Sequence, residues 1–68
     1  MLINITTSRK GEANLRHASA INPTFIVSAV FVSEFNLTAI NLSDGNTVWA
    51  HESPDDIRKA THEVTYNG

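Results

Sequence analysis

Cysteine is absent from this 68-residue chain, so no disulfide can brace it, and the absence suits a reducing compartment. Glycine is scarce: Gly11, Gly45 and Gly68 stand far apart, which excludes a glycine-rich phosphate loop. The most apolar run, Phe25-Ile26-Val27-Ser28-Ala29-Val30-Phe31-Val32, is far shorter than the roughly 20 residues that a helix needs to cross a bilayer. Basic residues are few as well. Five Lys and Arg face seven Asp and Glu, a net charge of −2, which disfavours a general electrostatic grip on nucleic acid. The opening Met1-Leu2-Ile3-Asn4-Ile5-Thr6-Thr7 has no basic leader and no long apolar core, so a cytoplasmic chain without a membrane association is expected.

What is present points to a single small globular domain over residues 1–68. Hydrophobic residues make up 41% of the chain, enough to collapse rather than stay disordered. A chain of this size has room for one core, which by itself yields about 3–5 kcal/mol unless a staple or partner adds to it.

The stretch from Leu37 to Ile57 carries the clearest structural signals. Asp44-Gly45 lies between two runs rich in β-branched and apolar residues, a strong hairpin signal because Gly45 tolerates positive φ. A three-residue loop puts Ile40 and Leu42 on one face with Val48 and Ala50, leaving Asn41, Trp49 and His51 opposite; a two-residue loop pairs them with Trp49 instead. The first register buries more compact aliphatic surface and is favoured, since a one-residue slip reverses every face. Ser53-Pro54-Asp55-Asp56 then marks a helix start: Ser53 can cap, Pro54 has the φ of the first helical position, and the two acids suit the positive end of the dipole. Ile57, Ala60 or Thr61, and Val64 form a narrow apolar stripe, with Arg58, Lys59, His62 and Glu63 toward water. An Asp55–Lys59 pair is spaced to support the helix.

Elsewhere, residues 2–7 read as a short strand, and Ser8-Arg9-Lys10-Gly11 as a break. The segment 12–21 fits either period; its Ala and Glu content favours a short helix. Asn22-Pro23 ends it. From Thr24 to Phe35 nearly every residue is β-branched, aromatic or small, which suggests a long strand at the centre of the sheet. The expected fold is therefore α+β: a small antiparallel sheet of three to four strands at about 2–7, 24–35, 37–42 and 47–51, with a C-terminal helix at 54–65 packed on one face.

No catalytic constellation accompanies this fold, so no enzymatic activity is expected. His17, His51 and His62 lack the spacing of a metal set. The thirteen serines and threonines sit in no activating motif such as Gly-x-Ser-x-Gly. Neither cofactor nor metal is implied.

One local basic cluster, Arg9, Lys10 and Arg16, could still hold phosphate. Met1-Leu2-Ile3, Arg9-Lys10-Gly11-Glu12, and Val48 to His51 leading into a terminal helix resemble the carbon storage regulator family of small dimeric RNA-binding proteins. The resemblance implies a dimeric RNA-binding regulator, and covers about a third of the chain. The chain departs from the pattern in the residues between the first strand and the Gly-Glu turn. It departs again at Glu52, where the family carries an RNA-contacting arginine.

The reading that composition favours is a protein-binding module, an inhibitor or regulator of a larger host protein, of the type carried by phage or mobile elements. Its candidate contact residues are Trp49, His51, Glu52, Asp55, Asp56 and Tyr66, with Phe35 as a further aromatic anchor or core residue. Homodimerisation through the Thr24–Phe35 strand or another edge would add the apolar burial that a small core lacks.

Overall fold

The computed structural model describes residues 2–66, with side chains as far as His62. Five strands and one helix follow in order: β1 (Ile3–Arg9), β2 (Glu12–Ile21), β3 (Ile26–Val32), β4 (Leu37–Leu42), β5 (Thr47–Ala50) and α1 (Pro54–Tyr66), with a single 3-10 turn at Pro23–Phe25 before β3. The strands form one sheet in the order β2-β1-β5-β4-β3, antiparallel throughout. The fold is α+β as expected, with five strands rather than three or four.

Two corrections follow, one to the number of strands and one to their order. The segment 12–21 is a strand, paired with β1 from Ile3↔Ile21 to Arg9↔Glu12. Gly11, at φ +84, closes a two-residue loop with Lys10. A ten-residue helix carrying mostly alanine on its inner stripe is marginal in water, whereas a hairpin to the adjacent strand satisfies the backbone at little loop cost.

The second correction concerns Thr24–Phe35, which is not the centre of the sheet but its edge. Asn22 Oδ1 accepts hydrogen bonds from Thr24 N at 3.0 Å and Thr24 Oγ1 at 2.8 Å, so the chain turns through Pro23–Phe25 before extending. Past Val32, Phe35 N donates to Val32 O and Asn36 N to Ser33 O, both at 3.2 Å, and Asn36 takes φ 54 to enter β4. β1 then docks beside β5, leaving β3 with one neighbour.

The β4–β5 hairpin has the three-residue loop. Leu42 N bonds Asn46 O at 2.8 Å and Gly45 N bonds Leu42 O at 3.0 Å, with Gly45 at φ +89. Ile40 faces Val48, and Thr38 faces Ala50, so the aliphatic face is the one that the favoured register requires. Helix α1 covers this face. Ile57 packs with Ile3, Ile5, Ile40 and Ala50, flanked by Ile21, Ile26, Ala29, Leu42, Val48 and Ala60.

The helix begins as its residues dictate. Ser53 Oγ accepts from Asp56 N at 3.1 Å, satisfying one otherwise unpaired amide. Asp55 pairs one turn on with Arg58, at 2.6 Å, rather than with Lys59. Val64 and Glu63 lie beyond the described side chains.

Candidate functional site

The alternation that buries Ile40 and Ala50 under the helix turns Trp49 to the opposite, helix-free face. The register there aligns Ser8, Trp49, Ala39 and Val30 across four strands. A neighbouring row is polar: Thr47 Oγ1 donates to Asn41 Oδ1 at 3.0 Å, and Asn41 Nδ2 to Ser28 Oγ at 2.8 Å. Phe35 reaches Trp49 from the β3–β4 turn, edge to face, with ring centroids 5.4 Å apart at 76°. Lys10 Nζ sits 5.1 Å from the centre of the Phe35 ring, within range of a cation–π attraction. Both rings are half-buried, whereas Leu37 and Ala39 on the same face are buried.

Beside this patch β1 and β5 part. They pair only at Thr7↔Ala50 and Ser8↔Trp49, after which β1 bends toward its hairpin with β2. A cleft of about 530 Å³ opens there, lined by Thr7, Ser8, Arg9, Lys10, His17, Thr47, Val48 and Trp49. Two cations, an imidazole and three hydroxyls border one aromatic ring. Such a lining suits an acidic group set beside an apolar one.

The short β1–β5 seam is held by side chains as much as by ladder bonds. His51 N donates to Thr6 O at 2.8 Å, and Thr6 N donates back to the carboxylate Oε1 of Glu52 at 2.8 Å. Thr38 Oγ1 donates to the Glu52 carbonyl at 2.6 Å from the other side. Glu52 thus continues the seam beyond the end of β5, its carboxylate standing where a strand carbonyl would be.

Ser8 has a related role. The β1–β2 register shifts between Thr7 and Arg9, and the Ser8 hydroxyl donates to Leu15 O at 2.8 Å, with Ala13 O at 3.4 Å. Its oxygen also lies 2.7 Å from His51 Nε2. The arrangement that satisfies all three groups has the single Ser8 proton on a β2 carbonyl and His51 Nε2–H donating to Oγ. Through this pair Ser8 ties the irregular part of β2 to the residue that follows β5. Among the described residues, no group of three or more His, Cys, Asp or Glu side chains could hold a metal ion, and no helix is long and apolar enough to cross a membrane.

The residues singled out from sequence are therefore not assembled in one place. Trp49 lies on the helix-free face and His51 and Glu52 are engaged at the seam. Asp55 and Asp56 are exposed at the start of α1, which covers the other face; the Tyr66 side chain lies outside the described residues. Of the basic cluster, Arg9 and Lys10 line the cleft, while Arg16 is exposed on β2 and does not line it. Sequence reasoning did not bring Arg9, Lys10 and His17 together with Trp49, nor Ser8 with His51, because each meeting depends on β1 docking against β5 across some 40 residues of chain. No family model, curated protein or solved structure matches the chain, so the likeness to the carbon storage regulators rests on the short motifs quoted above.

Proposed function

We propose that this chain is a small protein-binding module that inhibits or regulates a larger partner by covering part of its surface. The contact face is the helix-free side of the sheet. The observation that carries the reading is the half-buried Trp49–Phe35 pair with Lys10 against it, next to the Arg9–Lys10 cleft. Aromatic rings bordered by cations are the composition of interface anchors. The partner that fits presents an apolar group to the rings and an acidic group to the cleft. A cytoplasmic host protein, met by a phage or mobile-element product, is the setting that the size and cysteine-free composition suit.

The test is capture of a host protein by immobilised chain, compared among wild type, Trp49→Ala and Lys10→Glu. Both substitutions should abolish or strongly reduce retention of one specific protein while the circular-dichroism spectrum stays native. Equal retention by all three chains would remove this face from the account.

RNA binding is the second reading, favoured by the same cleft: Arg9 and Lys10 beside an aromatic ring are also what a phosphate and a stacked base require. Salt titration of RNA retardation separates the two. An RNA regulator loses affinity steeply with salt, and Arg9→Ala with Lys10→Ala flattens the slope by about two counterions; absence of retardation at low salt leaves the protein-binding reading alone.

A further inference from the structure

The two edges of the sheet differ in a way that bears on a partner of a different kind. On β2, Glu12 and Arg16 are exposed, and the register irregularity opposite Ser8 distorts the edge; charges and bulges of this sort keep edge strands from pairing with other chains. On β3 no residue from Thr24 to Ser33 is charged. Phe25, Val27, Val30 and Phe31 are exposed by 55, 69, 54 and 49%. A register shift does occur at Val27, between Ile26 and Ser28, but Ser28 to Val32 pair with β4 without interruption.

We infer that β3 is the interface with a second copy of this chain, paired antiparallel edge to edge about a two-fold axis near Val30. In a strand that pairs antiparallel with its own copy, the residue on the axis faces itself and its neighbours lie close to it, so a charge near the axis would meet a like charge, and a charge elsewhere on the strand would be set against the partner's apolar residues. β3 has no charge, and its exposed residues are apolar on both faces. Seven buried hydrophobic side chains make up the core among the described residues, a small core of the kind that association commonly supplements.

With the axis at Val30, the two Val30 side chains meet on the helix-free face. On the helix side, Phe31 of each copy lies beside Ala29 of the other. The two sheets become one of ten strands. Because the axis is perpendicular to the sheet, both helices lie on one side and both Trp49–Phe35 patches on the other. The dimer does not depend on the function proposed above, but it would present that contact face twice in one direction.

Sedimentation equilibrium from micromolar to submillimolar concentration tests the pairing. Wild type should approach twice the 7.5 kDa chain mass, Val30→Lys should sediment as monomer, and Leu15→Lys on β2 should behave as wild type. A wild type that stays monomeric throughout, a dimer indifferent to Val30→Lys, a dimer broken equally by Leu15→Lys, or open-ended assembly would each overturn the inference. Should Val30→Lys lose its fold, Val30→Cys decides. The chain has no other cysteine, and residues facing each other across an antiparallel pair are within disulfide reach. Oxidation should give a linked dimer from Val30→Cys and none from Leu15→Cys; failure of Val30→Cys to cross-link, or equal linking from both, would overturn the pairing.

Discussion

The two faces of the sheet are built from the same five strands and hold themselves together differently. Under the helix, Ile3, Ile5, Ile40, Ala50 and Ile57 form a continuous aliphatic layer supplied by four elements. On the other face no helix lies over the strands, and the cover is local: Phe35 folds back from its own turn onto Trp49, and Lys10 leans on Phe35. The first face owes its stability to burial between elements. The second leaves both rings partly exposed, and the contact proposed above would cover them. One residue of alternation separates the two roles, since Trp49 lies between Val48 and Ala50 and opposite Ala39.

The sharpest way to break this comparison is to empty the helix face. Ile40 is fully buried at 0% exposure, and Ile40→Ala should cost about 2–5 kcal/mol in urea unfolding. A loss under about 1 kcal/mol would mean that the layer is not continuous.

Next in size is the seam that joins the hairpins. Glu52→Ala leaves Thr6 N without its carboxylate acceptor, at a cost of about 1.5–3 kcal/mol. Glu52→Gln, which keeps an acceptor oxygen, should recover most of it. Equal losses in the two variants would assign the effect to charge rather than to the backbone amide.

The smallest stability effect belongs to the open face. Trp49→Ala removes a larger side chain than Ile40→Ala does, yet should cost only about 1–2 kcal/mol, because the ring is half-buried and its edge contact contributes about 0.5–1.5 kcal/mol beyond burial. If it costs more than Ile40→Ala, the ring belongs to the core and the two faces are not different in kind.

Much of the second half of the chain was legible in its residues. Ser53, Pro54 and the two aspartates set the start of the helix through local hydrogen bonding, and Asp44-Gly45 with its flanking alternation set the β4–β5 register. These are short-range rules, satisfied within a few residues. The first half was less readable because its structure is decided at a distance. Residues 12–21 carry helix formers, but a neighbouring strand joined by a tight turn outweighed propensity. Thr24–Phe35 has the composition of a central strand, and composition cannot say which strand takes the middle; β1 docking on β5 put it at the edge. The candidate site was least legible of all, since Trp49 is one of its residues and its cationic neighbours come from the other end of the chain.

The chain has one tryptophan, so its fluorescence reports on the proposed contact face without a label. The most direct measurement is Trp49 emission and acrylamide quenching before and after adding a partner isolated by wild-type capture. The account predicts a blue shift and loss of quencher access in the complex. A ring that emits and quenches identically when free and bound would contradict it.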